Sequence, residues 1–435
     1  MDISNSSLIR NYTLSDVQKN PLQFLKKLVA DEKALVIYKV NGHLVALLNN
    51  SDSIKRILLT NNRYYIKEGT PEMFMLKPIL GDGMLTSDGD LWKLQRNIAQ
   101  EAFSREKILT YFNIMVEEAN KMVNQWQPNA TIDLEAELSQ LTLRIVGKSL
   151  FGKSLETSEE KFGAAVTVVN KYMGHYDPFD REGRIQFSIA LKSLKSLVFD
   201  IISERKQSKQ QYNDLLSILL KNQTDEESDE AANVFLTDQI FTFLMAGHET
   251  TAKALTWTFY ELYKNPDKLE LLEEEVDNIL KGQDPNEQGI SKLNFTWQVL
   301  RESMRLNPPV WIISRTAGED DIIEGVNIPK GTTVLVSPYL MHRNNKYWRD
   351  PESFIPERFS EEEEKERNPY AFIPFSAGPR RCIGMNFANL EMLVIISKIT
   401  QKYRLRLKPG FVVEHEALVT LRPKNGMQMI IDLRN

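Results

Sequence analysis

"FSAGPRRCIG", residues 375–384, holds the only cysteine of the chain, Cys382, among two glycines, a proline and two arginines. One thiol forms no internal disulfide, no CxxC pair and no all-cysteine metal site, so Cys382 works alone or merely packs. A lone thiolate is a strong, soft donor to iron. A loop serving such a donor has to bring backbone amides close to the sulfur, which glycine permits. A cysteine held on haem also needs a cation near the haem propionates, and Arg380 lies two positions before the thiol. The competing reading is an inert buried thiol.

Composition is that of a globular chain: of 435 residues, 42% are hydrophobic and 26% charged, enough apolar material for a large core. No run of eighteen apolar residues occurs, and "MDISNSSLIRNYTLSD" lacks the regions of a signal peptide. A cytoplasmic protein without a transmembrane anchor is expected. The net charge of -5 gives no reason to expect a nucleic-acid partner. With no linker and no internal repeat, residues 1–435 read as one domain. The polar stretches from Lys221, "KNQTDEESDEAANVF", and from Ser360, "SEEEEKERNPY", read as solvated loops.

The expected fold class is mainly α with a small β region. A β-rich region spans about 30–50, where Asn41-Gly42 in "ALVIYKVNGHLVALLN" is a hairpin signal. A helical core follows from about 53 to 310, with apolar residues at three- and four-residue spacing in "EEANKMVNQW", "LTLRIVGKSLFG" and "LLSILLKN". Strand-like runs return in "TVLVSPYLM", "YRLRL" and "GMQMIIDL". One helix is predicted from Asp238 to Lys264, stopping before Asn265-Pro266. Its first half, "IFTFLMAG", is apolar nearly all round and therefore buried. Gly247, Glu249, Thr250 and Thr251 are poor choices for such an interior, and local inconsistency of this kind marks functional sites.

The loop resembles the haem-binding loop of the cytochrome P450 family, F-x-x-G-x-R-x-C-x-G, through Phe375, Gly378, Arg380, Cys382 and Gly384. Other stretches resemble the family in the same order along the chain. "AGHETT", from Ala246 and Gly247 to Thr251, is similar to its oxygen-activating helix. The resemblance implies that Thr250 donates a proton and orients water while Glu249 relays protons from solvent; the competing reading of Thr250 is a bond back to the carbonyl four residues earlier. Trp92 and Arg96 resemble a W-x-x-x-R whose arginine holds a haem propionate, and Arg315 in "WIISRTAGED" resembles a second propionate ligand. Glu302 and Arg305 resemble an E-x-x-R pair that closes a structural network with Arg358 of "PERF". His248 is read as an ordinary helix residue, and His43, His175, His342 and His415 have no mutual metal spacing.

Membership of that family implies a single triangular fold with haem b between the long helix and the cysteine loop, Cys382 ligating the iron. It implies monooxygenation, with dioxygen giving one atom to an unactivated C–H or C=C bond of a hydrophobic small molecule. The lead-in "LTSDGDLWKLQR" is more similar to the fatty-acid-hydroxylating and microsomal branches, which favours a fatty acid over a terpenoid. By family position the substrate pocket takes Tyr64, Phe74, Met75, Phe241, Met245, Val310, Trp311, Ile312, Ile313, Leu418, Val419 and Thr420. No nucleotide fingerprint is present, so electrons are expected from a separate ferredoxin or flavodoxin with its reductase, with Lys93 and Arg381 as candidate docking cations. Two alternatives stay open. A peroxide-driven peroxygenase usually lacks the acid-alcohol pair, and a haem sensor or carrier has no need of it.

Overall fold

The Asn41-Gly42 dipeptide turns the chain between strands β1 (Leu35–Val40) and β2 (His43–Leu48). Both residues have positive φ, 48° and 85°, as a two-residue hairpin loop requires, and Val40 pairs with His43 across it. The computed structural model describes residues 9–155, 159–177, 179–222 and 229–434. Three further strands, β3 (Tyr65–Ile66), β4 (Ile313–Ala317) and β5 (Thr333–Val336), extend the sheet in the order β1-β2-β5-β4-β3, with Asn11–Tyr12 outside β1. β2 and β5 run parallel and the other pairs of these five strands run antiparallel. Ala46, Leu48, Val334 and Val336 bury one face of the sheet, whereas Val45, Leu47 and Leu335 bury the other. Burial on both faces explains why β2 is apolar almost throughout instead of alternating.

Between the strands lie helices α1 (Pro71–Leu80), α2 (Gly89–Gln100), α3 (Leu134–Phe151), α4 (Glu159–Gly174), α5 (Arg181–Gln207), α6 (Asp229–Lys264) and α7 (Asn294–Leu306). Helix α8 (Met385–Thr400) follows the cysteine loop, and a small hairpin, β6 (His415–Ala417) and β7 (Leu421–Pro423), lies near the end. Two of the longer strand-like runs pair as Tyr403–Leu407 with Gln428–Leu433. Among the described residues no helix is long and apolar enough to cross a membrane.

Helix α6 has 36 residues and so runs about 54 Å. It ends where predicted, before Asn265-Pro266, but begins at least nine residues earlier than Asp238. Of the expected loop from Lys221, residues 223–228 lie outside the described residues, and the chain from Asp229 onward is helical, since alanine, glutamate and leucine favour helix and polarity alone does not disfavour it. The loop expected after Ser360 is likewise corrected: Glu361–Glu366 is a short helix. Ser360 caps it by accepting from the Glu363 amide, and the glutamates sit at the positive end of the helix dipole. Helix α6 packs against α3, α7 and α8. At Gly247 a Cβ would lie 3.1 Å from Cγ2 of Val146 in α3, so glycine here lets the two helices approach.

Candidate active site

The cysteine loop is held by its own backbone and by the segment after β2. The Cys382 amide donates to the Phe375 carbonyl at 2.9 Å, closing the loop across Ser376, which has φ 60°. Gly378 has φ 69°, and a Cβ there would stand 1.7 Å from the Leu58 carbonyl oxygen, so no other residue fits without moving the chain. Gly384 opens α8 with the Cys382 sulfur 4.0 Å from where its Cβ would be. Cys382 keeps an exposed surface although protein is packed densely around it. That burial raises the thiol pKa, and the Gly384 N–H and the charges of Arg96 and Arg381 pull it down. Burial prevails, so the thiol pKa lies above its usual value.

Ala246 is exposed although Leu244 and His248 on either side are buried, so α6 has an accessible surface at its middle. One turn on, Thr250 is half-buried, and its hydroxyl donates to the Ala246 carbonyl at 3.0 Å. The neighbouring Glu249 is buried. Asn170 Nδ2 donates to both of its oxygens, at 3.0 and 2.9 Å, and Thr420 Oγ1 donates to Oε1 at 2.9 Å. Burial works to raise the Glu249 pKa, but Lys253, His248 and these two donors outweigh it and hold the carboxyl ionised. Nδ1 of His248 lies 2.6 Å from the Leu244 carbonyl oxygen, which only accepts, so Nδ1 carries the proton. His248 is occupied within the helix and packs edge-on against Phe162.

The predicted arginines gather on the other flank. Arg380 donates to the Ser87 carbonyl at 2.8 Å, pairs with Asp88 and lies 4.4 Å over the Trp92 ring. Burial lowers its pKa to about 10, against the pull of Asp88. Arg315 is buried, and its one side-chain hydrogen bond among the described residues goes to the Ser314 carbonyl, at 2.7 Å. Arg96, half-buried, has no ion-pair partner among the described residues. Sequence reasoning missed two members of this cluster. Lys67 donates to the Leu85 carbonyl at 2.6 Å, and burial together with Arg315 lowers its pKa to about 7. Glu72, which accepts from the Ser314 amide at 2.6 Å, leaves Oε2 without a partner, and burial raises its pKa. No local spacing pattern marks either residue. A buried guanidinium with one of its five donors used, beside an unpaired second one, fits an anionic group with two carboxylates.

The E-x-x-R pair is fully buried. Arg305 reaches Glu302 through Nε at 2.6 Å and Nη2 at 2.8 Å, and Arg358 reaches the same carboxylate through Nε at 3.3 Å. The remaining Arg305 donors go to the carbonyls of His342, Pro351 and Ser353. His342 in turn accepts from the Ile373 amide at 2.9 Å through Nε2, two residues before Phe375. The network thus reaches the cysteine loop. His43 is exposed, His175 sits 3.6 Å from Glu416, and His415 stacks on Trp257.

The pocket candidates do not all converge. Trp311 Nε1 donates to the Leu418 carbonyl at 2.9 Å, and Leu418 also crowds Gly174 at the end of α4. Phe74 is 63% exposed and meets Tyr176 edge-on, while Met75, Met245, Ile312 and Val419 are half-buried. Val310 is exposed and Ile313 is buried in β4. Tyr64 is half-buried, with its carbonyl accepting from Gly318. Phe241 is buried in the core five residues before Ala246, which places it about 140° round the helix from the accessible face. Lys93 pairs with Asp90 at the surface, and Arg381 is exposed.

The family model for cytochrome P450 matches residues 5–429. Cyclooctatin synthase of Streptomyces melanosporofaciens is 33% identical over 402 residues, 90% of this chain and 87% of that protein. Cyclooctat-9-en-7-ol 5-monooxygenase of the same organism is 30% identical over 401 residues, 90% and 86% of the two chains. Leukotriene-B4 omega-hydroxylase 3 of Mus musculus is 30% identical over 421 residues, 87% and 80%.

Proposed function

Because the chain belongs to the cytochrome P450 family, we propose that its haem is haem b, with Cys382 on the iron and the propionates on Arg96, Arg315 and Arg380 beside Trp92. The protein is a cytochrome P450 monooxygenase. When bound, the haem supplies the redox chemistry that inserts one atom of dioxygen into an unactivated bond. The protein's own work is to hold the sulfur ionised, to neutralise the propionates and to bring protons to the reacting oxygen. In this reading Thr250 hands over the proton and orders water, Glu249 resupplies it, and Phe375, Gly378 and Gly384 keep the sulfur in place. The observation that carries the reading is the lone thiol in a loop closed by the Cys382 amide on the Phe375 carbonyl, set beside guanidiniums that have one carboxylate partner, Asp88, among the described residues.

The substrate is a hydrophobic molecule of the terpenoid or fatty-acid kind. Relatives named for cyclooctatin chemistry favour the first, which shifts the balance from the fatty acid that the sequence alone favoured. Electrons come from a ferredoxin or flavodoxin, and the protein works as one cytoplasmic domain. Incubating haem-loaded protein with a surrogate ferredoxin and reductase and a library of terpenoids and fatty acids tests this. Hydroxylated or epoxidised product should require reductant and dioxygen. Equal turnover with hydrogen peroxide alone would make the protein a peroxygenase, and haem binding with no turnover under either regime would make it a sensor or carrier.

A further inference from the structure

Glu249 is the most heavily engaged side chain near the middle of α6, and the residues that engage it come from two other walls of the site. Asn170 lies on α4, 79 positions away, and Thr420 lies in the β6–β7 turn, 171 positions away. All three side chains are buried, at 5%, 3% and 5% exposure for Glu249, Asn170 and Thr420. The two walls also meet each other: Leu418 of the turn packs so closely on Gly174 that a Cβ there would stand 2.3 Å from Leu418 Cδ2. Neither oxygen of Glu249 bonds to Thr250, whose hydroxyl is spent on Ala246. Among the described residues the other titratable groups acting on the carboxylate are on α6 itself, His248, whose pKa burial lowers, and Lys253, which is paired with Glu135 of α3.

We propose that Asn170 and Thr420 are positioning residues of Glu249, which fix its carboxylate between α4 and the β6–β7 turn. The inference rests on the reading of Glu249 as a proton carrier. A carboxylate accepting three hydrogen bonds from fixed donors binds a proton poorly, and removing a donor raises its proton affinity. Asn170 is suited to the task because a single amide nitrogen spans both oxygens and carries no charge of its own. Thr420 supplies the second anchor from the β6–β7 turn.

The test is made on haem-loaded protein with surrogate redox partners. In Asn170→Leu and Thr420→Val the acid limb of the coupled rate should move up by about one pH unit each, a tenfold gain in proton affinity. Thr420→Ser should keep the wild-type profile. Placed in a Glu249→Gln background, neither change should move the profile further. Infrared titration of the carboxyl band that disappears in Glu249→Gln gives the same midpoint without turnover, and it should rise in both variants. An unmoved infrared midpoint in the variant that folds, or an equal shift of the profile in the Glu249→Gln background, overturns the inference. If Glu249→Gln itself leaves rate and coupling unchanged, the proton-carrier reading fails and the inference falls with it; if Glu249→Gln acts but the variants do not, only the inference falls.

Discussion

Thr250 faces a choice between two partners. Its hydroxyl donates to the Ala246 carbonyl at 3.0 Å, a bond that satisfies a helical threonine and loosens the helix locally. A hydroxyl turned that way still accepts from water, and it can turn to donate. If it delivers protons, Thr250→Ala should keep consuming reductant while product falls and hydrogen peroxide rises. Glu249→Gln should instead slow the whole cycle, by about 10²- to 10⁴-fold, and product formation driven by peroxide should survive both changes better. Measuring reductant, peroxide and product together separates the two cases. Wild-type coupling in Thr250→Ala would assign the hydroxyl to the helix backbone alone. At this scale the residues readable in the sequence are those whose partners lie within a short motif, such as Arg380 two positions from Cys382. Asn170, Lys67 and Glu72 were unreadable because each meets the site through a fold contact and not a spacing. Thr420 was read for its position in the pocket, whereas its bond to Glu249 spans 171 residues.

A buried polar network ties several elements together. Glu302, Arg305 and Arg358 are buried, and the carboxylate also accepts from the Ile355 amide at 2.8 Å. Arg358→Ala would leave that buried charge short of a partner, at a cost of roughly 3 to 5 kcal/mol. Loss of folded, haem-loaded protein is expected, not a selective kinetic defect, and normal yield and haem content would show that the network does not hold the loop. His342 extends the network to Ile373. Burial first, and then repulsion by Arg305 and Arg343, lowers its pKa to about 3, so it stays neutral in the fold. The unfolded chain takes up this proton below about pH 6.5, so the stabilisation is complete above that pH and is lost as pH falls towards 3. Denaturant titrations should show His342→Gln to be less stable at neutral pH but with a shallower loss between pH 6 and 4. An unchanged slope would mean the ring is not the titrating group. Helix type and the α6 stop were readable from periodicity and from Asn265-Pro266. The α6 start and the Glu361–Glu366 helix were not, because charge-rich sequence marks solvent exposure without deciding between loop and helix.

Across the whole molecule, the chain brings together segments from its two ends. The sheet joins β2 to β5 in parallel over nearly 290 positions, and β4 carries Arg315 from that sheet to the cation cluster. The cysteine loop closes against Leu58 from the N-terminal region and opens into α8, which packs on α6. The hairpin, the long helix and the later strands were each readable, but their packing order was readable only through the resemblance, since periodicity carries no information on which elements meet. The pocket shows the same limit: family position selected Phe241, whereas the helix turns it into the core and away from the accessible surface at Ala246. The haem would be held through one sulfur, that of Cys382. The most direct measurement is the absorption spectrum of the reduced carbon monoxide complex of haem-loaded wild type and Cys382→Ser. A thiolate opposite the gas gives a strongly red-shifted band, so the wild type should show it and Cys382→Ser should lose it. A Cys382→Ser protein that binds haem and keeps the shifted band would contradict the assignment of Cys382 as the iron ligand.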